Sequence, residues 1–146
     1  EMQASFLRVK LRYLNKEIKY RQEVGVLYKN GINNSDIRLP IDKNISSITN
    51  LDNHVFHLYV IQTNHRYKLQ KYLLSKGFDT KVHYPLPVHK MNVYIKNYKK
   101  IKLPVSEKLS KEILTIPVME YIDKDHVIKL ANKIKSFLTK FSKIKI

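Results

Sequence analysis

The run from Val55 to Tyr84 constrains the fold most. VFHLYVI, residues 55–61, is apolar almost throughout and rich in β-branched and aromatic side chains, which predicts a strand. Asn64 stands where a helix cap belongs. Residues 65–76 place Leu69, Tyr72 and Leu73 on one helical face, and Gly77 follows where a left-handed C-terminal residue fits. FDTKVHY, residues 78–84, then reads as a returning strand. Strand, helix and second strand make a βαβ unit or a split version of one. That commits the chain to a mixed class, α/β or α+β, with helices packed on a small sheet.

The flanks add helices. Met2, Phe6, Leu7, Leu11, Leu14, Ile18, Val24, Leu27 and Tyr28 recur at helical steps, which predicts one long helix over residues 2–29, ended by Gly31 and the Asn33–Ser35 cluster. Its start has no capping residue, so Glu1 reads as a cut end. DIRLPI, residues 36–41, suits a short edge strand, because Pro40 bars a central place. Residues 42–53 are polar and turn-rich and read as an exposed loop. Pro104 opens a helix over 105–114, with Val105, Leu109 and Ile113 spaced by four, and Pro117 breaks the chain. Asp123 caps a last helix whose stripe is Val127, Leu130, Ala131, Ile134, Phe137, Leu138 and Phe141. Its outer lysines, Lys129, Lys133, Lys135, Lys140 and Lys143, form the kind of face that is usually just solvated, and the SKIKI tail frays. No repeat and no long linker divides the chain, so residues 1–146 read as one domain.

Composition narrows the function. The chain has 146 residues, 43% of them hydrophobic, enough for a core. It has no cysteine, which removes disulfides, thiolate metal sites and cysteine nucleophiles and fits a cytoplasmic protein. No apolar run reaches the roughly 18 residues of a membrane span. The three glycines, Gly25, Gly31 and Gly77, allow neither a dinucleotide fingerprint nor a P-loop. The net charge is +16, from 28 Lys+Arg against 12 Asp+Glu. Such charge points to nucleic acid or another anionic partner. Only five of the basic residues are arginine, however, isoleucine and asparagine abound, and the lysines are spread throughout. An AT-rich codon bias accounts for that pattern better, and nucleic acid is the weaker reading.

HYPLPVH, residues 83–89, carries the chemistry. Pro85 and Pro87 remove two backbone donors and hold their predecessors extended, which stiffens the loop and lowers the ordering cost of binding. His83 and Tyr84 end a strand, where α/β folds commonly place ligand contacts. His83, Tyr84 and His89 offer hydrogen bonds to phosphate or sugar oxygens, and Lys81 and Lys90 add charge. A structural proline turn is the plain alternative. A metal shared by His57, His83 and His89 is disfavoured, because the spacing is not a zinc spacing and no thiol or carboxylate completes it. No nucleophilic triad motif is present. His57 itself reads as buried or facing a cleft, and more readily as a hydrogen-bonded core or edge histidine.

The order of these segments resembles the C-terminal part of the DegT/StrS-type sugar-nucleotide aminotransferases. The segments are EMQASFLRVKLRYL, HVFHLYVI, LQKYLLSKGFDTKVHYPLPVH and LPVSEKLSKEILTIPVM, followed by a terminal helix. The resemblance implies the small C-terminal domain of the aspartate-aminotransferase-like, fold-type I enzymes, an α/β sandwich, in a homodimer. It implies amino transfer from glutamate to a nucleotide-linked keto-sugar with pyridoxal phosphate, serving surface polysaccharide, lipopolysaccharide or antibiotic sugars. Substrate contact carries over to His83 and Tyr84, more weakly to His89, while His57 stays structural. Glu1 to Ala4 match the segment just after a cofactor-phosphate loop. The Schiff-base lysine, the acid on the pyridine nitrogen and the phosphate cup lie upstream of the matched part in this family. The chain alone is therefore expected to hold no cofactor and not to transaminate, and the helix over 1–30 is expected to pack on a missing large domain. A truncated product kept for another role is the alternative origin. A stand-alone basic module binding nucleotide sugars or nucleic acid, without catalysis, is the alternative function.

Overall fold

The computed structural model describes residues 1–32, 34, 36–41, 54–98 and 100–142, the last two of them by backbone alone. Two antiparallel strands form the centre: β1, Tyr59–Gln62, and β2, Ile113–Ile116, run in register from Tyr59 opposite Ile116 to Gln62 opposite Ile113. Single bridges widen the sheet on both sides, Arg38 to Gln62 and Lys81 to Thr115. The expected edge strand over 36–41 and the returning strand over 78–84 are each reduced to one bridge. β1 is followed by helix α3, Arg66–Ser75, and then by the Lys81 segment, with β2 lying between them. This is the split version of the βαβ unit.

β2 is the element that sequence spacing hides. Ile113 stands four residues after Leu109 and so continues the helical pattern of α5, Pro104–Glu112, with Pro104 in its first turn as expected. The chain instead turns extended at Ile113 (φ −76°, ψ 142°) and buries Leu114, Thr115 and Ile116. The strand expected over 55–61 starts late. Phe56 adopts a left-handed φ of 47° and is fully buried, so the chain bends into β1 at that point. His57 follows the bend and is exposed, which corrects the expectation of a buried or cleft-facing residue.

The single opening helix is two helices, α1 (Met2–Leu11) and α2 (Leu14–Gly31). The amides of Arg12 and Tyr13 bond three residues back, to Val9 (3.2 Å) and Lys10 (2.9 Å), and this tight turn separates them. No proline or glycine marks the break. The predicted stripe also divides: Met2, Phe6, Leu7, Leu11 and Leu14 are exposed, and burial begins at Val24. Near its C-terminus α2 meets α6, Lys124–Ser142. A Cβ on Gly31 would stand 2.6 Å from the Ala131 Cβ, so this glycine serves close helix approach rather than a left-handed turn.

Asp123 caps α6 as expected, its Oδ1 accepting the Asp125 amide at 3.0 Å. Val127, Leu130, Ala131, Ile134, Phe137 and Leu138 are buried, and Lys129, Lys133, Lys135 and Lys140 face water. Asn64 is not the cap of α3. His65 occupies that place, and the Thr63 hydroxyl accepts its amide at 3.2 Å. Gly77 is left-handed as expected (φ 82°). The predicted loop over 42–53, the Phe141 side chain, Lys143 and most of the tail lie outside the described residues.

Tyr28 and Tyr59 pack at the heart of the core, ring centroids 5.1 Å apart. Their hydroxyls donate to the Pro117 (2.7 Å) and Gly25 (3.3 Å) carbonyls, and burial pushes both phenols well above their ordinary ionisation range. Arg21 ties α2 to the sheet side. It donates to the Phe56 (3.2 Å) and Val118 (3.3 Å) carbonyls and pairs with Glu120.

Candidate functional site

The site is built where the Lys81 segment leaves the sheet. Lys81 and Thr115 exchange both backbone hydrogen bonds, at 3.1 and 2.7 Å, which fixes the chain on β2. Two residues later the half-buried His83 turns back to the same strand, its Nδ1 hydrogen-bonded to Thr115 Oγ1 at 2.9 Å. The ring is thereby held by one nitrogen, with Nε2 left for another partner. The His83–Tyr84 peptide bond is cis, and the two rings meet edge to face with centroids 5.7 Å apart. Tyr84 is 69% exposed. Imidazole and phenol therefore stand together at the surface, one oriented by Thr115 and one open.

Pro87, extended at φ −64° and ψ 147°, leads into a one-turn 3-10 helix, Val88–Lys90, and then into the short helix α4, Ile95–Tyr98. His89 parts company with His83 and Tyr84. It is only 8% exposed, and its Nε2 lies 3.2 Å from Glu107 Oε1 on α5. The same carboxylate accepts from Lys90 Nζ at 2.6 Å and from the Leu103 amide at 3.1 Å. Lys90, then the Leu103 amide, then His89 hold the Glu107 carboxyl down to about 2.

Tyr84, the 3-10 helix, α4 and α5 enclose an open cleft of about 670 Å³. Its walls are largely apolar and aromatic, and its polar lining is Tyr84, His89, Tyr94, Tyr98, Ser106 and Ser110. Such a cleft suits a partly apolar, hydrogen-bonding ligand. The loop lysines add less charge than their number suggests. Lys81 pairs with Asp79 at 2.8 Å, which lowers the Asp79 pKa, and Lys90 pairs with Glu107. Pyridoxal phosphate needs a lysine amine, an acid and an anion cup. Among the described residues no lysine, arginine or carboxylate lines the cleft, so its donor set does not fit that cofactor. Among the described residues no three His, Asp or Glu gather as metal ligands, and no helix is long and apolar enough to cross a membrane.

Thr115 and Glu107 are the contributors that residue reading missed. Thr115 lies on the unrecognised strand. Glu107 carries a visible signal, as the acid of PVSEKL, but nothing local tells that it faces His89.

Residues 1–135 match the DegT/DnrJ/EryC1/StrS aminotransferase family, and the chain belongs to it. The relatives it resembles are more particular. It is 29% identical over 137 residues to a dTDP-3-amino-3,6-dideoxy-alpha-D-galactopyranose transaminase of Aneurinibacillus thermoaerophilus, covering 94% of this chain and 36% of that protein. It is 30% identical over 122 residues to a UDP-2-acetamido-2-deoxy-3-oxo-D-glucuronate aminotransferase of Pseudomonas aeruginosa, covering 84% and 32%. Among solved structures it superposes on S. venezuelae DesV, in complex with a ketimine intermediate, with a TM-score of 0.83 and 25% identity, over 93% of this chain and 36% of that one. The chain thus spans about 36% of the length of the first of these relatives. The mixed helix-and-sheet class matches solved aminotransferase folds.

Proposed function

We propose that this chain is the C-terminal part of a pyridoxal-phosphate-dependent aminotransferase. It moves an amino group from glutamate to a nucleotide-linked keto-sugar for surface-polysaccharide or lipopolysaccharide synthesis, in the cytoplasm. One observation carries the reading: family membership runs over residues 1–135, through both the ligand loop and the helix that faces it. The relatives' named activities, on dTDP- and UDP-linked sugars, supply the substrate class. The cofactor belongs to the full-length enzyme, and no residue of this chain is assigned to it.

The chain's own part is to bind and orient. His83 offers Nε2 and Tyr84 its hydroxyl to sugar or phosphate oxygens, which favours them as substrate contacts. His89 serves the same end from behind, as a cleft-wall residue held by Glu107. The exposed apolar side chains of α1, Phe6 at 65% among them, favour a large N-terminal domain packing there. The assembled enzyme is a homodimer in this reading.

The test is transamination by the full-length protein, followed as 2-oxoglutarate formed from glutamate. Release that depends on a dTDP- or UDP-linked keto-sugar is the expected result. Background release with every nucleotide-linked keto-sugar tried contradicts the reading.

A further inference from the structure

His89 closes the loop HYPLPVH, and Glu107 is the acid of PVSEKL. The two stand 18 residues apart in sequence, and neither needs the other for helix or turn formation, yet the fold joins them at 3.2 Å. The Glu107 carboxylate is shared three ways. Oε1 meets His89 Nε2 and the Leu103 amide, and Oε2 accepts from Lys90 Nζ at 2.6 Å. Among the described residues, the backbone hydrogen bonds of this segment are local turns, such as Lys90 on Pro87 (2.9 Å) and Tyr98 on Tyr94 (3.1 Å). One acid on α5 thus ties three points of the segment that carries Tyr84 and walls the cleft.

We propose that Glu107 is the positioning residue of the ligand loop: by holding His89, Lys90 and the Leu103 amide on one carboxylate, it fixes the Tyr84 side of the cleft against α5 and so sets affinity for the bound nucleotide sugar. The identity of that ligand rests on the proposed function, whereas the contact itself does not. Removing the carboxylate leaves His89 buried with an unpaired ring nitrogen. The cost of ordering the loop then falls on ligand binding.

The experiment compares Glu107→Ala, Glu107→Gln and Lys90→Met in the full-length protein. Glu107→Ala raises the KM for the nucleotide sugar about tenfold or more, the scale of one lost charge-assisted hydrogen bond. The effect on kcat is much smaller, and the KM for glutamate is unchanged. Glu107→Gln falls between wild type and alanine, because its amide oxygen still accepts from Leu103. Lys90→Met lies nearest wild type, since an exposed ion pair contributes little. Amide hydrogen exchange, read without ligand, accelerates across residues 84–103 in Glu107→Ala while β1, β2 and α6 keep their protection. An unchanged sugar KM in Glu107→Ala overturns the proposal. So does a parallel loss of kcat, both KM values and protection throughout the fold, which marks a scaffold residue. If Glu107→Ala does not fold, Glu107→Gln decides by the same readouts. If the wild type transaminates no sugar, the proposed function fails, and exchange alone decides: unaltered rates across 84–103 overturn the positioning role.

Discussion

Thr115 sits beneath His83 on β2, its hydroxyl 2.9 Å from Nδ1. It is buried, so its part is orientation rather than contact with ligand. Thr115→Val keeps the volume and removes that hydrogen bond. The expected result is an affinity for the nucleotide sugar weakened about fivefold, the size of one neutral hydrogen bond. Calorimetric titration of the full-length protein checks it, and an unchanged dissociation constant removes Thr115 from the site. At this scale the sequence is legible where chemistry is local. Pro85 and Pro87, directly after an imidazole and a phenol, single out His83 and Tyr84 as candidates without any knowledge of the fold. His57 is misread because a left-handed turn at Phe56 swings the next residue to the surface, and no residue type announces that turn.

Helix packing sets its own constraints. Gly31 and Ala131 are one point of close approach between α2 and α6, and a Cβ on Gly31 would stand only 2.6 Å from that of Ala131. Alanine has no flexible end with which to yield. Gly31→Ala is therefore expected to destabilise the fold by about 1–3 kcal/mol, the usual cost of overpacking. A lower urea midpoint at constant slope checks this, and a gain in stability contradicts it. The final helix is legible almost residue by residue, because its stripe and Asp123 cap are long and unambiguous. The start and capping proline of α5 are legible too. Its end is not, because Ile113 belongs to the helical spacing and to β2 at once. The break between α1 and α2 has no marker in composition. The apolar residues before it keep helical spacing without finding a core among the described residues.

Across the whole molecule, ionisation brackets stability from both sides. Glu107 is held down to about 2 by Lys90, the Leu103 amide and His89, and Glu120 and Asp79 are lowered as well. A lowered carboxyl stabilises the fold above its ordinary pKa of about 4.5, and that contribution is lost as pH falls towards the folded value. Buried Tyr28 and Tyr59 work in the opposite direction. Their neutral forms are favoured in the fold, so stability is intact below the ordinary value of 10.0 and is lost as pH climbs past it. Urea midpoints across pH should therefore decline below about 4.5 and again above about 10. Tyr28→Phe with Tyr59→Phe should flatten the alkaline decline, although each substitution also gives up a hydrogen bond to a carbonyl. An alkaline limb unchanged in the double variant would place its cause elsewhere.

The mixed fold class is legible at this largest scale because strand, helix and glycine punctuation agree. The cleft is not, since its walls come from segments whose meeting depends on long-range contacts such as Glu107 with His89. Substrate contact by the loop is decided by the Michaelis constant for the nucleotide-linked keto-sugar in the full-length protein, for wild type, His83→Ala and Tyr84→Phe. If His83 and Tyr84 touch the sugar nucleotide, its KM rises in both variants by about fivefold or more, with the KM for glutamate unmoved. Unchanged kinetic constants in both variants would contradict it, and would leave HYPLPVH as a structural turn.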